Sequence, residues 1–417
     1  MASTGTGAQP APLRAAGALL AAFLFVLPFS STLALRNSLL GLAAACLLYA
    51  AATGRATRPR LPSWRVLAPM LAYGAWSAAS VAWSVNPAYS LSELRPGLLY
   101  PFVAFLVFFA ATPDARAIDR WAWSLSAGLA ALGAAAAYLL VTTGWFDPDR
   151  WHGDAGFYAT HVVLAMPLLA WAWVRTGSRG ARGALAAAAI LTFVASAWND
   201  NRVAWIALAA MLLLALAFSH DLLPQRRRPA ALALAAAALA VLAALFAWSL
   251  QLRAERLEGT PYAAEAQILR DPRPALWDYA ARRHGEAPWI GFGYGRGILD
   301  LQFRMGVTPG VDNPKHAHAH NTALNVLLQG GVVGLAIFAW MVLALAREMA
   351  AGLAAGGHRR IAATLGIVLL AGFAIRNMTD DFLVRHSAML AMALAGAVLG
   401  ALRPTSASTP GSAAPAS

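Results

Sequence analysis

The sequence has very little charge, since only 12% of its 417 residues are Asp, Glu, Lys or Arg. A soluble globular protein carries about twice that fraction, so a water-soluble enzyme of this length is excluded. Lysine is almost absent, because Lys315 is the only lysine among 32 basic residues. Cys46 is the only cysteine, which excludes an intramolecular disulfide, and its place in an apolar run indicates a small buried hydrophobic residue.

Apolar residues are what the sequence has in abundance, at 59% of the chain. One helical crossing of a bilayer needs about 20 apolar residues, and twelve apolar runs approach that length. They lie at residues 15–34, 38–53, 66–83, 97–111, 121–142, 158–174, 184–198, 203–218, 230–250, 322–346, 361–376 and 387–402. The sequence therefore predicts an all-α polytopic integral membrane protein with about twelve transmembrane helices.

One long polar segment interrupts the series of short loops. Residues 1–250 are predicted to form spans one to nine, residues 251–321 one large loop, and residues 322–403 spans ten to twelve. Residues 404–417 consist mostly of Ser, Pro and Ala without periodicity, which is typical of a disordered tail. A loop as long as 251–321 is usually functional or disordered, and its aromatic residues argue against disorder.

The distribution of arginine predicts the orientation in the membrane. Alternate short loops are rich in arginine, and those facing the other side carry single cations at Arg36, Arg95, Arg150 and Arg202, with Arg376 and Arg385 at the last turn. Cytoplasmic loops carry the excess of Lys and Arg in membrane proteins. Both termini are therefore predicted to be cytoplasmic, and the loop at 251–321 is predicted to lie on the outer face.

The densest polar cluster is His316-Ala-His318-Ala-His320-Asn321, immediately before the tenth span. In an extended strand the three histidines would face one way and could ligate a metal, whereas in a helix only the first and third would share a face. A metal is the less favoured interpretation, because no carboxylate or cysteine cluster accompanies them and a general acid or base needs only one imidazole. Alternatively, His320 and Asn321 cap the following helix, for which Asn is well suited.

Arginines on the outer face are the second group of candidate residues. Arg202 follows a Trp-Asn-Asp-Asn turn between two short spans, where a cation is costly unless it is paired or faces an anion. Pairing with Asp200 is the competing interpretation. Arg273 begins a stretch in which the spacing of Leu276, Tyr279 and Ala280 predicts a helix at the membrane surface. Together with Arg296 it could supply bidentate donors to a diphosphate.

Arg296 lies at the end of the stretch Pro288-Trp-Ile-Gly-Phe-Gly-Tyr-Gly-Arg-Gly297. Alternating glycines allow a backbone to approach another group closely. Neither Rossmann nor P-loop spacing is present, so nucleotide binding is not supported. Arg150, Arg95 and the pair Asp380–Asp381 are smaller signals, and each of them can also anchor a helix end at the interface.

These features together resemble the O-antigen ligase and polymerase superfamily. The resemblance depends on the long outer loop, its Pro-Trp-Ile-Gly-Phe-Gly-Tyr-Gly stretch, and His318-Ala-His320-Asn321 leading into a glycine-containing helix. It is strongest over residues 185–345. Gln329 stands where the family commonly has Glu, and Trp-Asn-Asp-Asn-Arg202 replaces the more usual Ser-Arg-Gly type of turn.

The resemblance implies a C-type membrane glycosyltransferase that takes a glycan from undecaprenyl diphosphate on the periplasmic face of the bacterial inner membrane. In the ligase branch the acceptor is a sugar hydroxyl of lipid A-core, and neither a metal nor another cofactor is expected. The resemblance places the catalytic histidine on His320, with His318 as the neighbouring histidine, and the two family arginines on Arg202 and Arg273. We therefore expect His320 to be the general base, His318 a catalytic or substrate-orienting residue, and Arg202 and Arg273 diphosphate binders. The sequence adds Arg150 and Arg296 as further diphosphate-binding candidates, and Asp381 and Asn321 as acceptor-binding or structural residues.

Other functions compete with the ligase. An O-antigen polymerase and a protein O-oligosaccharyltransferase use the same donor, and the acceptor distinguishes them. A transporter of lipid-linked sugars is a more distant alternative. It would be expected to place charges along several spans, whereas the runs at 184–198 and 230–250 contain no ionisable residue.

Overall fold

A computed structural model describes residues 10–54, 61–144, 155–198, 201–222, 224–258, 271–307, 312–313 and 316–403, and these residues form helices and connecting turns without a strand. The helices, in chain order, are α1 (Ala11–Val26), α2 (Leu33–Ala52), α3 (Trp64–Ala79), α4 (Pro87–Leu94), α5 (Tyr100–Ala111), α6 (Ala115–Thr143), α7 (Ala155–Arg175), α8 (Arg179–Trp198), α9 (Arg202–Ser219), α10 (Arg228–Leu257), α11 (Arg273–His284), α12 (Asp300–Gly306), α13 (Thr322–Ala351), α14 (Gly357–Asn377) and α15 (Arg385–Ala401).

Nine helical segments of the described chain are long and apolar enough to cross a membrane. They are Ser30–Ala52, Trp64–Trp83, Pro87–Ala111, Ala115–Thr143, Gly156–Arg175, Arg202–Leu222, Gln225–Leu252, Thr322–Ala354 and Gly357–Asn377. Helices α1 and α15 are apolar but shorter, and α8 covers the predicted seventh span. The all-helical architecture is confirmed, and the count of twelve crossings stays a prediction.

Two predicted boundaries are wrong by several residues. The first span was expected over 15–34, but α1 ends at Val26. Pro28 follows the C-cap residue Leu27, and proline has no backbone N–H with which to continue the helical hydrogen bonding. At the other boundary, α10 extends to Leu257, beyond the predicted end of the ninth span. The predicted outer loop therefore begins with the last turns of a helix. The predicted disordered tail lies outside the described residues.

Close packing of α5 against α15 fixes the last helix. A Cβ on Gly396 would lie 2.2 Å from the carbonyl oxygen of Phe105, and a Cβ on Gly400 would lie 2.6 Å from that of Phe109. Only glycine permits these approaches, as is common where membrane helices touch. This packing holds α15, and with it the turn between α14 and α15 that borders the candidate site.

Helix α13 contains a break at Gly331, whose φ of 64° is left-handed. The break frees carbonyl groups of the first turns from hydrogen bonding within the helix. The carbonyls of Leu328 and Gln329 instead accept hydrogen bonds from the backbone N–H groups of Phe292 and Gly293, at 2.8 and 3.0 Å. Residues 288–297, the glycine segment, therefore complete the hydrogen bonding of a membrane helix.

The same segment is also bonded to the turn that follows α3. Trp83 donates its indole N–H to the carbonyl of Ile290 at 3.0 Å, and the backbone N–H of Tyr294 donates to the Ser80 hydroxyl at 2.9 Å. A Cβ on Gly291 would lie 2.5 Å from the carbonyl oxygen of Leu328. The alternating glycines thus allow the close backbone approach expected from their pattern, and they fix the position of Arg296 at the end of the segment.

Candidate active site

A cavity of about 660 Å³ lies where several helix ends meet. Its wall includes side chains from the start of α11, from α4, from the first turns of α7 and α15, and from the segment before α13. Four residues predicted from the sequence line it, namely Arg273, Arg296, His318 and His320. The arginines of the predicted loop and the histidines before α13 therefore line one cavity, as the prediction of a shared site requires.

His320 is oriented by a carboxylate from a distant part of the chain. Its Nδ1 lies 3.1 Å from Oδ1 of Asp380, which is in the turn between α14 and α15. A carboxylate accepts hydrogen bonds, so Nδ1 carries the proton and Nε2 is left as the basic nitrogen. The His320 backbone has a φ of 47°, a left-handed conformation that costs a non-glycine residue roughly 1–2 kcal/mol.

Asp380 is surrounded by positive or proton-donating groups. Its Oδ1 lies 3.4 Å from Nη2 of Arg296 and accepts the backbone N–H of Asp381 at 2.8 Å. Burial raises the pKa of Asp380, but the hydrogen bond from His320 and the charges of His320 and Arg296 outweigh it and lower that pKa below its ordinary value. The carboxylate is therefore ionised at neutral pH, and its stabilising charge is lost only as the pH falls through the lowered pKa.

His318 differs from His320, although their rings lie only 4.0 Å apart. The Arg296 guanidinium contacts its Nε2, and the backbone N–H of His320 donates to its Nδ1 at 3.0 Å. A doubly protonated ring could accept neither hydrogen bond, and a neutral ring, which carries one N–H, can accept one of them. Burial, followed by the charges of Arg296 and His320, lowers the pKa of His318 well below its ordinary value. His318 is thus held as a neutral imidazole in contact with both Arg296 and the backbone of His320.

Three possible metal ligands come together at this point. The ligand atoms of His318, His320 and Asp380 lie within 4.8 Å of one another. Arg296, however, contacts His318 Nε2 and lies 3.4 Å from Asp380. The guanidinium charge already binds two of the three ligand groups and would repel a divalent cation. The geometry therefore favours the metal-free interpretation.

A second charged cluster joins two predicted diphosphate binders. Oδ2 of Asp271 lies 2.7 Å from Nη1 of Arg273 and 3.6 Å from Nη2 of Arg202. Asp271 therefore provides a charge partner for Arg202 that sequence reasoning did not identify. The alternative partner, Asp200, lies outside the described residues, as does Arg150. Arg202 itself is not among the residues that line the cavity, and it is connected to the cavity wall through Asp271.

Helix α11 positions Arg273. It covers Arg273–His284 and buries Leu276 and Ala280, so the helix predicted from their spacing is confirmed. The Arg273 Nε donates to the carbonyl oxygen of Thr379 at 2.7 Å. Since Thr379 directly precedes Asp380, the arginine cluster and the His320–Asp380 pair are attached to the same turn.

Asn321 and Asp381 make contacts within the fold. The side chain of Asn321 accepts the backbone N–H of Leu324 at 3.1 Å and caps α13. Asp381 is 3% exposed and accepts hydrogen bonds from the Thr322 hydroxyl at 2.9 Å and the Asn325 amide at 2.8 Å. Their position favours the structural interpretation over acceptor binding. It was Asp380, noted in the sequence only as a minor signal, that faces the histidine.

Comparison with known proteins supports the resemblance found in the sequence. Residues 164–339 match a family model described as O-antigen ligase. An O-antigen ligase of Pseudomonas aeruginosa is 31% identical over 305 residues, which cover 71% of this chain and 68% of that protein. The family match includes both histidines and the three described arginines of the prediction, whereas Asp380 lies beyond it. The chain belongs to the O-antigen ligase family, and it is a multi-pass membrane enzyme of the glycosyltransferase type.

Proposed function

We propose that this protein transfers O-antigen polysaccharide from undecaprenyl diphosphate to a sugar hydroxyl of lipid A-core, which completes lipopolysaccharide. The observation that carries the proposal is the 3.1 Å hydrogen bond between His320 Nδ1 and Asp380 in a cavity that Arg273 also lines. A base and a cationic leaving-group site in one cavity are what transfer from a lipid diphosphate requires. The ligase is favoured over the polymerase because the similar Pseudomonas aeruginosa protein is an O-antigen ligase.

His320 acts as the general base. The acceptor hydroxyl oxygen attacks the anomeric carbon of the donor, and its proton moves to His320 Nε2. As the new carbon–oxygen bond forms, the bond from the anomeric carbon to the diphosphate oxygen breaks, and its electron pair leaves with the diphosphate. Attack opposite the leaving group inverts the anomeric centre. Asp380 keeps Nδ1 protonated and stabilises the imidazolium that forms.

Arg202 and Arg273 stabilise the charge that develops on the departing diphosphate. Fixed guanidinium groups provide directed donors without the need for a metal. Asp271 holds both arginines in the absence of donor, and the diphosphate takes over part of that role when it binds. Arg296 acts differently, since its contacts with His318 and Asp380 make it a positioning residue for the base. Arg150 remains a further candidate from the sequence.

Arg273→Lys is expected to weaken donor binding about tenfold or more. Lysine keeps the positive charge, but it lacks the planar guanidinium that can donate hydrogen bonds to Asp271, to the Thr379 carbonyl and to a phosphate oxygen at the same time. The measurement is the KM for the lipid diphosphate donor in a transfer assay with purified protein. Arg282→Lys is the matched control, because Arg282 lies on the same helix with 66% of its side chain exposed. An unchanged donor KM in Arg273→Lys would remove this arginine from the diphosphate site.

The proposed orientation has twelve crossings, both termini in the cytoplasm and the cavity open to the periplasm. Since Cys46 is the only cysteine, a Cys46→Ala background allows single-cysteine labelling. Leu301→Cys on α12, where leucine is 57% exposed, is expected to react with a membrane-impermeant maleimide once the outer membrane is permeabilised. Gly356→Cys, between α13 and α14, is expected to react only after lysis. Labelling of Gly356→Cys before lysis, and of Leu301→Cys only after lysis, would show that the orientation is the opposite of the one proposed.

Deletion of the gene tests the reaction itself. Lipid A-core is expected to be made but left uncapped, while polymerised O-antigen accumulates on its lipid carrier. Both products are separated and identified by gel electrophoresis of lipopolysaccharide and of the lipid-linked fraction. If capped lipopolysaccharide persisted and only the chain length collapsed, the enzyme would be a polymerase.

A further inference from the structure

Two non-glycine residues of the described chain have a left-handed backbone, and both line the same cavity. They are His320, with a φ of 47°, and Arg385, with a φ of 48°. Such strain persists only where the surrounding structure imposes it, and it concentrates at functional sites. His320 has a role as the proposed base. Arg385, the first residue of α15, has none in the mechanism above.

Arg385 is the cavity arginine without an acidic partner in the described part of the chain. Arg273 pairs with Asp271, and Arg296 pairs with Asp380. Arg385 is exposed, and none of the described carboxylates lies within ion-pair distance of it, including Glu93 in the same cavity wall. Its five N–H donors are therefore open to a ligand in the cavity.

A buried arginine on α2 adds its charge to that of Arg385. Arg36, in the first turn of α2, is only 5% exposed, and its buried Nε and Nη1 have no hydrogen-bond partner among the described residues. Burial disfavours the charge of Arg36, and the like charge of Arg385 disfavours it further. An anion bound at Arg385 would offset both effects.

We propose that Arg385 binds an anionic group, a phosphate or a carboxylate, on the acceptor saccharide. This inference rests on the proposed transfer to a lipid-linked saccharide acceptor. The donor diphosphate has its own cations, Arg202 and Arg273, which come from α9 and α11. Arg385 comes from α15 and lines the cavity together with His320. An acceptor held there through its anion would present a neighbouring hydroxyl to His320.

Steady-state kinetics of Arg385→Gln test the proposal, with purified lipid A-core as the acceptor. The KM for this acceptor is expected to rise about tenfold or more, because a charge-assisted hydrogen bond is lost, while the KM for the donor stays unchanged. Inorganic phosphate is expected to inhibit the wild-type enzyme competitively against the acceptor and to lose that inhibition in the variant. Arg95→Gln is the matched control, since Arg95 is exposed on the same predicted side and does not line the cavity.

Arg36→Met provides a second variant. Replacing a buried cation with an apolar side chain is expected to leave the melting temperature unchanged or raised, and the acceptor KM is expected to rise less than in Arg385→Gln, because Arg36 contributes its charge and does not line the cavity. An unchanged acceptor KM in Arg385→Gln, or a rise in the donor KM instead, would overturn the inference. If the wild-type enzyme failed to glycosylate lipid A-core at all, the proposed function would fail, which is a separate result.

Discussion

His320→Ala is expected to lower the rate of glycan transfer by about 10²–10⁴-fold, the range that general base catalysis contributes. Donor binding is expected to persist, because Arg202 and Arg273, the proposed diphosphate binders, are paired with Asp271 and do not depend on the imidazole. The measurement combines a transfer assay with binding of a fluorescent lipid diphosphate to the same preparation. Loss of turnover with retained binding would identify His320 as a catalytic residue.

His316→Ala is the matched control for this variant. His316 belongs to the same histidine cluster, but its Nε2 lies 3.3 Å from the Asn313 amide, and it does not line the cavity. It is expected to retain most of the activity. Full activity in His320→Ala would contradict the base assignment, and it would favour a transporter of lipid-linked sugars, in which no proton is abstracted.

Asp380→Asn is expected to lower transfer by about 100-fold or more, with little change in the melting temperature. An asparagine oxygen can still accept the hydrogen bond from His320 Nδ1, but it cannot stabilise the imidazolium with a negative charge. Because the pKa of Asp380 is held below its ordinary value, the wild-type carboxylate stays ionised in mildly acidic buffer. A loss of wild-type activity near pH 6 is therefore not expected to come from Asp380.

Asp381→Asn provides the contrasting measurement. Asp381 is buried, and the Asn325 amide donates to one of its oxygens at 2.8 Å. Both oxygens of Asp381 accept hydrogen bonds, so the amide NH2 of an asparagine would face another donor and remain unpaired. An unpaired buried polar group lowers the free energy of unfolding by about 1–3 kcal/mol. This variant is expected to lose thermal stability and to keep its activity at low temperature. If Asp380→Asn stayed active and Asp381→Asn lost activity without unfolding, the two carboxylates would have exchanged roles.

The helices and the histidines of this protein could be predicted from its sequence because both signals are local. A run of apolar residues must form backbone hydrogen bonds within itself in a membrane, and each predicted run contains a helix in the structure. The prediction of α11 also depended on a local signal, the helical spacing of Leu276 and Ala280. The block of histidines and asparagine marked the start of α13, where Asn321 serves as the cap.

The partners of these residues could not be predicted, because they depend on contacts between distant segments. Asp380 is hydrogen-bonded to His320, which lies 60 positions earlier in the sequence. Its neighbour Asp381 has the same side chain but is hydrogen-bonded to Thr322 and Asn325 instead. Nothing local distinguishes the two carboxylates. Asp271 as the link between Arg202 and Arg273 requires knowledge of how α9 and α11 are arranged. The left-handed backbone of Arg385 likewise follows from packing and not from its residue type.

The break in α13 has a consequence for exchanging parts between related enzymes. Carbonyl groups released at Gly331 are bonded by the glycine segment, and Trp76 of α3 donates its indole N–H to the carbonyl of Gly330 at 3.0 Å. A chimaera that imported only the loop at 251–321 would set its glycine segment against α3 and α13 of another enzyme, and a poor fit would leave these carbonyls without donors inside the membrane. The smallest portable unit is therefore the glycine segment together with α3 and the first half of α13, although α3 is more than 200 residues from the other two in the chain.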